Sequence, residues 1–231
     1  MPAPSEGLRS SGYIYSHTHY RTVFDWVLSL VSKTDYQTEV VMVAFHPEHQ
    51  DNLHFMVFIV SMESTVTKAE QVLQEVHQSR PSGATTEWLC QPESLDNLYS
   101  NQNKANPQSH YYSTDDAFLY NQADVSAALE KAFCTLPPGK SSAFWYPMYP
   151  RSRRPLPDMA LGVQSDHYFC IYAICEDEGG TSKYKAWVQE AMAEVRQSSV
   201  GAYIGESDCN MPGSWYWGHR NVRRLVEVLQ K

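Results

Sequence analysis

The chain has 231 residues, 42% hydrophobic and 19% charged, which is the balance of an ordinary globular protein long enough to bury a substantial core. Its net charge of −8 argues against nucleic acid as a partner, because such binding depends on a basic surface. No apolar run approaches the roughly 20 residues of a transmembrane helix, and the first residues lack the apolar centre of a secretory signal. We therefore expect a cytoplasmic protein with no membrane partner.

The familiar cofactor and metal motifs are absent from the sequence. The five cysteines form no Cys-x-x-Cys pair, and neither the His17/His19 nor the His46/His49 pair has a carboxylate at ligand spacing. The sequence also lacks a Gly-x-Gly-x-x-Gly loop, a phosphate-binding loop and a Gly-x-Ser-x-Gly elbow. These patterns predict no metal and no cofactor.

Hydrophobic periodicity divides the chain into a loose N-terminal arm, residues 1–19, and one domain, residues 20–231. Period-3.6 segments predict helices, and runs of β-branched and aromatic residues predict strands. A capping box, Thr67 to Glu70, is predicted to begin the second main helix. The predicted helices cover 21–32, 66–76, 92–99, 125–133, 184–195 and 222–229, and the predicted strands cover 40–45, 53–60, 85–90, 111–119, 142–149, 161–174 and 202–204.

This order of elements predicts an α+β fold, a single antiparallel β-sheet with helices packed on one face. The two strands Val40–Phe45 and Leu53–Val60 form a predicted hairpin and are apolar on both sides. Helices are expected to cover one side of this hairpin, so its other side must meet something else that is apolar.

Several segments near the C-terminus carry a resemblance to a known family. These are Gly201–Asp208, Trp215–Gly218 and Asn221–Leu225, with weaker matches further upstream at Leu98–Pro107, Asp158–Leu161 and Ser165–Phe169. Together they resemble the closing signature of the substrate-binding domain of berberine-bridge-enzyme-like, FAD-linked oxidases of the vanillyl-alcohol-oxidase superfamily. The resemblance implies that one sheet face forms a roof over substrate and flavin.

The sequence also departs from that family. Members carry a flavin domain ahead of this region and return to it in a C-terminal tail, and neither is recognised here. Gly205 stands where many members have Asn, which puts the usual contact with the flavin side in doubt. Because an exposed apolar face marks an interface or a ligand groove, we expect this face to form a homodimer, dock on a partner or be covered by the N-terminal arm.

Candidate site residues come mainly from the strand predicted at 161–174 and from aromatic positions elsewhere. Alternation places Val163, Ser165, His167, Phe169 and Ile171 on one side of that strand and Gln164, Asp166, Tyr168, Cys170 and Tyr172 on the other. His167 and His54 suit proton transfer near neutral pH, although His167 falls with the apolar set and a core role is open for it. The candidate catalytic residues are His167, His54 and Tyr168, and the candidate substrate-binding residues are Trp145, Tyr149, Asp166, Tyr172 and Tyr203.

Two functions are compatible with a pocket-forming domain that lacks a flavin domain. The first is a cofactor-independent enzyme of fungal-type specialised metabolism. It would bind a hydrophobic polyketide- or terpenoid-like intermediate and catalyse a cyclisation such as a Diels–Alder reaction, an isomerisation or a dehydration. The alternative is a non-catalytic subunit that completes a split FAD-linked oxidase, and a non-catalytic remnant stays open as a third.

Overall fold

The structure is a computed structural model that describes residues 7–31, 33–48, 50–157, 159, 163–208, 216–217 and 219–230. Its eight strands are β1 (Gly7–Ser16), β2 (Thr38–Phe45), β3 (His54–Glu63), β4 (Thr86–Pro92), β5 (Tyr111–Leu119), β6 (Ser142–Pro147), β7 (His167–Cys175) and β8 (Ser199–Gly201). Its six α-helices are α1 (Tyr20–Val31), α2 (Val66–Ser79), α3 (Leu95–Ala105), α4 (Val125–Cys134), α5 (Thr181–Val195) and α6 (His219–Leu229).

All eight strands form one sheet in the order β4-β1-β3-β2-β6-β7-β5-β8, and every pairing is antiparallel. The α+β fold with a single antiparallel sheet is therefore confirmed. Helices α1, α2, α4 and α5 cover one face, where their apolar side chains pack on the strands. At the centre of this core the Trp145 ring stacks on Phe24 with centroids 4.2 Å apart.

Short polar side chains begin three of the helices. Thr65, Ser94 and Asp124 each accept a hydrogen bond from a backbone N–H three residues later, which satisfies one of the free donors of the first turn. The capping box predicted at Thr67 is therefore wrong by two residues, because the Thr65 hydroxyl caps α2 through the Lys68 N–H.

The other side of the sheet is here called the open face. It carries the even-numbered side chains of β3, β5, β6 and β7 and the odd-numbered side chains of β2, and several of its aromatic residues stay half-exposed. The register aligns Asp116, Cys170, Phe144, Val43, Met56 and Ile14 in one row across six strands. The residue of this row on β5 is acidic, and its residues on β6, β2, β3 and β1 are all apolar.

The N-terminal arm of the sequence interpretation is largely a strand. Residues 7–16 form β1, which pairs with β3 on one side and β4 on the other, so it cannot fold over a pocket. Residues 1–6 lie outside the described residues. The serine- and glycine-rich segment was missed because it has few β-branched residues, yet Tyr13 and Tyr15 are fully buried in the core.

Two strand boundaries near the site also differ from the prediction. The strand predicted to begin at Leu161 begins at His167, because the Ser165 hydroxyl donates to the Leu119 carbonyl and the Asp166 N–H donates to Asn121 Oδ1. The strand predicted at 202–204 lies three residues earlier, at Ser199–Gly201. Beyond Gly201, the Tyr203 N–H bonds to the Asp116 side chain instead of continuing the ladder.

We predict that Gly12→Ala destabilises the protein by about 1–3 kcal/mol. A Cβ at Gly12 would lie 2.1 Å from the Trp88 ring, so the ring must move off the strand that it covers. Ser10→Ala on the same side of β1 is the control, since it loses only a 3.3 Å hydrogen bond to Glu93. Urea unfolding monitored by circular dichroism measures both variants, and equal midpoints would contradict the close Gly12–Trp88 packing.

Candidate functional site

Aromatic rings cover the part of the open face formed by β5, β6 and β7. Tyr168 lies at the centre, with its ring centroid 4.9 Å from that of Phe118 and 6.1 Å from that of Tyr146. Phe144 stacks on Tyr146 at 6.2 Å and meets Tyr172 edge-on at 5.8 Å. The alternation of side chains along three adjacent strands brings these rings together, and they form an apolar surface that carries tyrosine hydroxyl groups.

The segment Ala202–Asp208, here called the strap, crosses the β5 end of this aromatic surface. Three hydrogen bonds hold it: the Tyr203 N–H donates to the Asp116 carboxylate, the Asp208 N–H donates to the Thr114 carbonyl, and the Tyr168 hydroxyl donates to Glu206 Oε2 at 2.7 Å. The strap thereby places a carboxylate directly against the central tyrosine of the open face.

Gly205 allows the strap to fold tightly. A Cβ at this position would lie 2.7 Å from the Tyr203 ring, so the ring packs over the bare backbone of Gly205. Gly205 therefore goes with a compact strap, in which the Tyr203 ring also meets Tyr168 edge-on at 6.5 Å.

Asp116 is the most unusual polar group of the site. Its side chain is buried on the open face, and its Oδ2 atom has no hydrogen-bond partner among the described residues. Burial raises the pKa of Asp116 to about 7; the Tyr203 N–H opposes this rise, while the negative charges of Asp115 and Glu206 add to it. Asp116 therefore titrates near neutral pH, where a proton acceptor is most useful.

The adjacent Asp115 shows that the two carboxylates have different roles. Asp115 points to the opposite side of β5, where it is fully buried and forms a salt bridge with Arg196. Asp116 forms no salt bridge with any described residue, and its backbone N–H donates to Asp115 Oδ1 at 2.9 Å. One carboxylate is thus neutralised in the core, and the other has no cationic partner in the described part of the chain.

Neither Asp116 nor Glu206 was singled out as a candidate from the sequence, although a signal was present. Two consecutive aspartates inside a predicted strand are unusual, because one of them must face the core. Alternation would have placed Asp116 with Phe118 and Thr114. Glu206 carried no comparable signal, since its position depends on the fold of the strap.

Three of the candidate residues lie together on the open face. Tyr168 and Tyr172 come from β7, and Tyr203 comes from the strap with 45% of its surface exposed. Burial raises the pKa of Tyr168 and of Tyr172, so both phenols remain protonated donors at physiological pH. His54 lies at the far end of the same face, where it opposes Phe45 and its Nδ1 contacts the Asn52 carbonyl at 3.0 Å.

Two candidates lie on the helix-covered face instead. Trp145 is completely buried and stacked on Phe24, so it is a core residue and not a wall of a pocket on the open face. The His167 ring stacks on Trp145 with centroids 6.0 Å apart, and burial lowers the pKa of this imidazole. The strand alternation separates both residues from Tyr168, which leaves His167 as the buried core histidine that the sequence interpretation kept open.

The remaining two candidates lie near the loop between β6 and β7. The Asp166 carboxylate accepts hydrogen bonds from Ser152 and Arg153, so it anchors that loop. Tyr149 is exposed and has the Arg153 guanidinium 6.0 Å above its ring. Gln164, Ser165 and Asp166 border a surface cavity of about 320 Å³ with Arg153 and Arg154, outside the aromatic surface.

Metal centres and membrane-spanning helices are absent from the described ranges. There, no group of three or more His, Cys, Asp or Glu side chains is arranged to hold a metal ion. No helix in that part of the chain is both long enough and apolar enough to cross a bilayer.

Comparison of the sequence with curated proteins finds fungal flavoproteins. The chain is 27% identical over 224 residues to the FAD-linked oxidoreductase janO of Penicillium janthinellum, covering 94% of this chain and 49% of the relative. It is 22% identical over 223 residues to the FAD-linked oxidoreductase nodO of Hypoxylon pulicicidum, covering 96% and 50%. The chain spans about half the length of these relatives, and no protein-family model matches it.

Comparison with solved structures finds the same fold in berberine-bridge-enzyme-like proteins. The BBE-like 1 protein of Physcomitrella patens superposes with a TM-score of 0.73 at 12% identity, covering 97% of this chain and 51% of that protein. CrmK, a flavoenzyme of caerulomycin biosynthesis, superposes with a TM-score of 0.74 at 14% identity, covering 99% and 53%. The resemblance noted in the sequence is confirmed over one half of these enzymes; Trp215 and Gly218 of its closing signature lie outside the described residues.

We predict that Asp116→Asn stabilises the protein above pH 7. The folded wild type keeps the Asp116 proton up to about pH 7, whereas the unfolded chain loses it near pH 4. Wild-type stability therefore falls as pH rises from about 4 to 7, and the variant lacks this fall, worth on the order of 1–3 kcal/mol. Thermal melts from pH 5 to 8 measure the difference, and parallel curves for the two proteins would contradict a raised pKa.

Proposed function

We propose that this chain, which shares its fold with one half of berberine-bridge-enzyme-like flavoenzymes, is the substrate-binding unit of an FAD-linked oxidoreductase of specialised metabolism. The aromatic surface around Tyr168, with Glu206 bonded to the Tyr168 hydroxyl, is the observation that carries this proposal. An apolar surface with a few polar groups placed at its edge is typical of a site that binds and orients a hydrophobic small molecule.

The residues of the open face fit a flavin as one wall of its site. Phe144 and Tyr146 are half-buried and lie nearly parallel, with their ring planes 11° apart, so they offer a flat surface to a planar ring. A bound flavin would supply the hydride acceptor of the oxidation. The chain's own residues would bind the substrate against the sheet and exclude water from it.

Proton transfer would fall to the groups around the strap. An alcohol that is oxidised loses a proton from its oxygen, and Glu206 would accept this proton directly or through the Tyr168 hydroxyl, which already donates to Glu206 Oε2. Tyr203 would form the exposed rim of the site. His54, at the opposite end of the face, would contact only a substrate that extends across β2 and β3.

A second candidate function is cofactor-independent catalysis on the same kind of substrate: a cyclisation such as a Diels–Alder reaction, an isomerisation or a dehydration. The observation in its favour is that this chain alone supplies hydrogen-bond donors and a carboxyl group that titrates near neutral pH beside an aromatic surface. Such reactions need a held conformation and modest polarisation more than a nucleophile.

We expect the protein purified from its natural host to show the visible absorption of a bound flavin. Absorption and native mass are measured on the same fractions. A denaturing gel probed with an antibody to this chain then gives the mass of the polypeptide that carries it, which shows whether the chain and the flavin-binding part belong to one polypeptide. Under the main proposal, the fractions that contain flavin have a native mass greater than that of one chain of 26.4 kDa or of two such chains.

A purified protein without bound flavin would contradict the main proposal. A colourless protein with the mass of one or two chains would overturn the flavin-linked proposal and favour cofactor-independent catalysis. A fraction reconstituted with free FAD is the control, because colour gained only there would indicate loss of flavin during purification.

A further inference from the structure

Among the described residues, Asp116 and Glu206 at the acidic end of the open face form no salt bridge, and nothing in the proposed oxidation requires two carboxyl groups there. Asp116 and Glu206 belong to different elements, β5 and the strap, yet the charge of Glu206 acts on Asp116. Both of the charges that influence Asp116 are negative, and its Oδ2 atom finds no partner in the described part of the chain. A buried, unpaired carboxyl oxygen is rare in folded proteins and calls for an explanation.

The residues around this acidic end of the open face favour the binding of a cation. Tyr168, Phe118 and Tyr203 place aromatic rings around the carboxyl pair, and ring faces attract positive charge. Arg196, the cation nearest in sequence to the strap, is already bound to Asp115 on the opposite side of the sheet. The positive charge that would balance the pair is therefore expected to come from a ligand.

We propose that the acidic end of the open face binds a positively charged amine nitrogen of the substrate. The proposal rests on the substrate-binding role proposed above and specifies the chemical class of the ligand: an apolar skeleton with a basic nitrogen near one end. Glu206, which is half-buried, is the direct contact, and Asp116 acts from beneath it through its charge. The apolar part of the ligand lies along Phe144, Val43 and Met56.

Binding of a cation is coupled to the proton on Asp116. Below pH 7 that carboxyl group is largely protonated, and a cation nearby favours its ionised form, so binding releases a proton. The groups that act on Asp116 are Asp115 on its own strand and Glu206 and the Tyr203 N–H on the strap, and Tyr168 and Cys170 of β7 interact with its charge. Burial raises the pKa of the Tyr168 phenol and of the Cys170 thiol, so both stay protonated while Asp116 loses its proton.

The test compares 2-phenylethylamine with its neutral counterpart 2-phenylethanol by isothermal titration calorimetry on the purified chain, without flavin. We expect the amine to bind at least about tenfold more tightly at pH 8, because a charged hydrogen bond replaces a neutral one. Its affinity should rise by up to about tenfold from pH 6 to pH 8, while the amine itself stays protonated. Titrations in two buffers with different ionisation enthalpies count the released proton.

Two variants test which residue is responsible for the preference for the amine and which for the dependence on pH. Glu206→Gln should lower the affinity for the amine to that for the alcohol, and Asp116→Asn should abolish the dependence on pH between 6 and 8. Glu190→Gln is the matched control, since it removes one negative charge from α5 on the helix-covered side, where Glu190 bridges Lys131 at 2.8 Å. Circular dichroism confirms that all three variants are folded.

Each other outcome overturns the proposal. Equal affinity for amine and alcohol would mean that the face binds neutral ligands only, and this result would leave the flavin-linked proposal untouched. A Glu190→Gln variant as weak as Glu206→Gln would show that net charge, not the site, attracts the amine. A pH dependence that survives in Asp116→Asn would remove Asp116 from the site.

Discussion

The antiparallel register of β5, β6 and β7 is the constraint on which the site depends. Because side chains alternate between the two faces, this register brings Asp116, Cys170 and Phe144 into one row and Phe118, Tyr168 and Tyr146 into the next. A slip of one residue in β7 would bury Tyr168 under the helices and expose His167. The apolar side chains of Phe169 and Ile171, fully buried against the helices, make such a slip prohibitively costly. Packing in the core thus fixes the position of each polar group on the open face.

Much of the fold followed from periodicity in the sequence, and the exceptions have identifiable causes. The helices α1, α4 and α5 and the strands β2, β3 and β5 were predicted because each presents a clear apolar period of 3.6 or 2. Strand β1 lacked that signal, since its stability comes from pairing with β3 and β4 and from the buried Tyr13 and Tyr15. The position of β8 could not be predicted, because the Asp116 side chain captures the Tyr203 N–H and ends the ladder at Gly201.

The candidate site was predictable only in part, for a related reason. Alternation correctly grouped Tyr168, Cys170 and Tyr172 on one side of β7, but it could not reveal which acidic side chains would meet them there. Asp116 and Glu206 are 90 residues apart in the sequence and are brought together by the β5–β7 pairing and by the strap. Trp145 shows the reverse: an aromatic residue on a strand suggested a pocket wall, yet its neighbours Phe24 and His167 enclose it.

The two aspartates of β5 show how the same residue type can serve stability or a ligand. Asp115 faces the core, where Arg196 neutralises it and ties the end of α5 to the sheet. Asp116 faces the other way and has one oxygen without a partner among the described residues, at a cost in folding free energy that an apolar residue at this position would avoid. Groups that cost folding free energy in this way are concentrated at sites that bind ligands or carry out reactions. Since the strap holds the other Asp116 oxygen in place, the unpaired oxygen is fixed in position, and its charge depends on pH and on what binds above it.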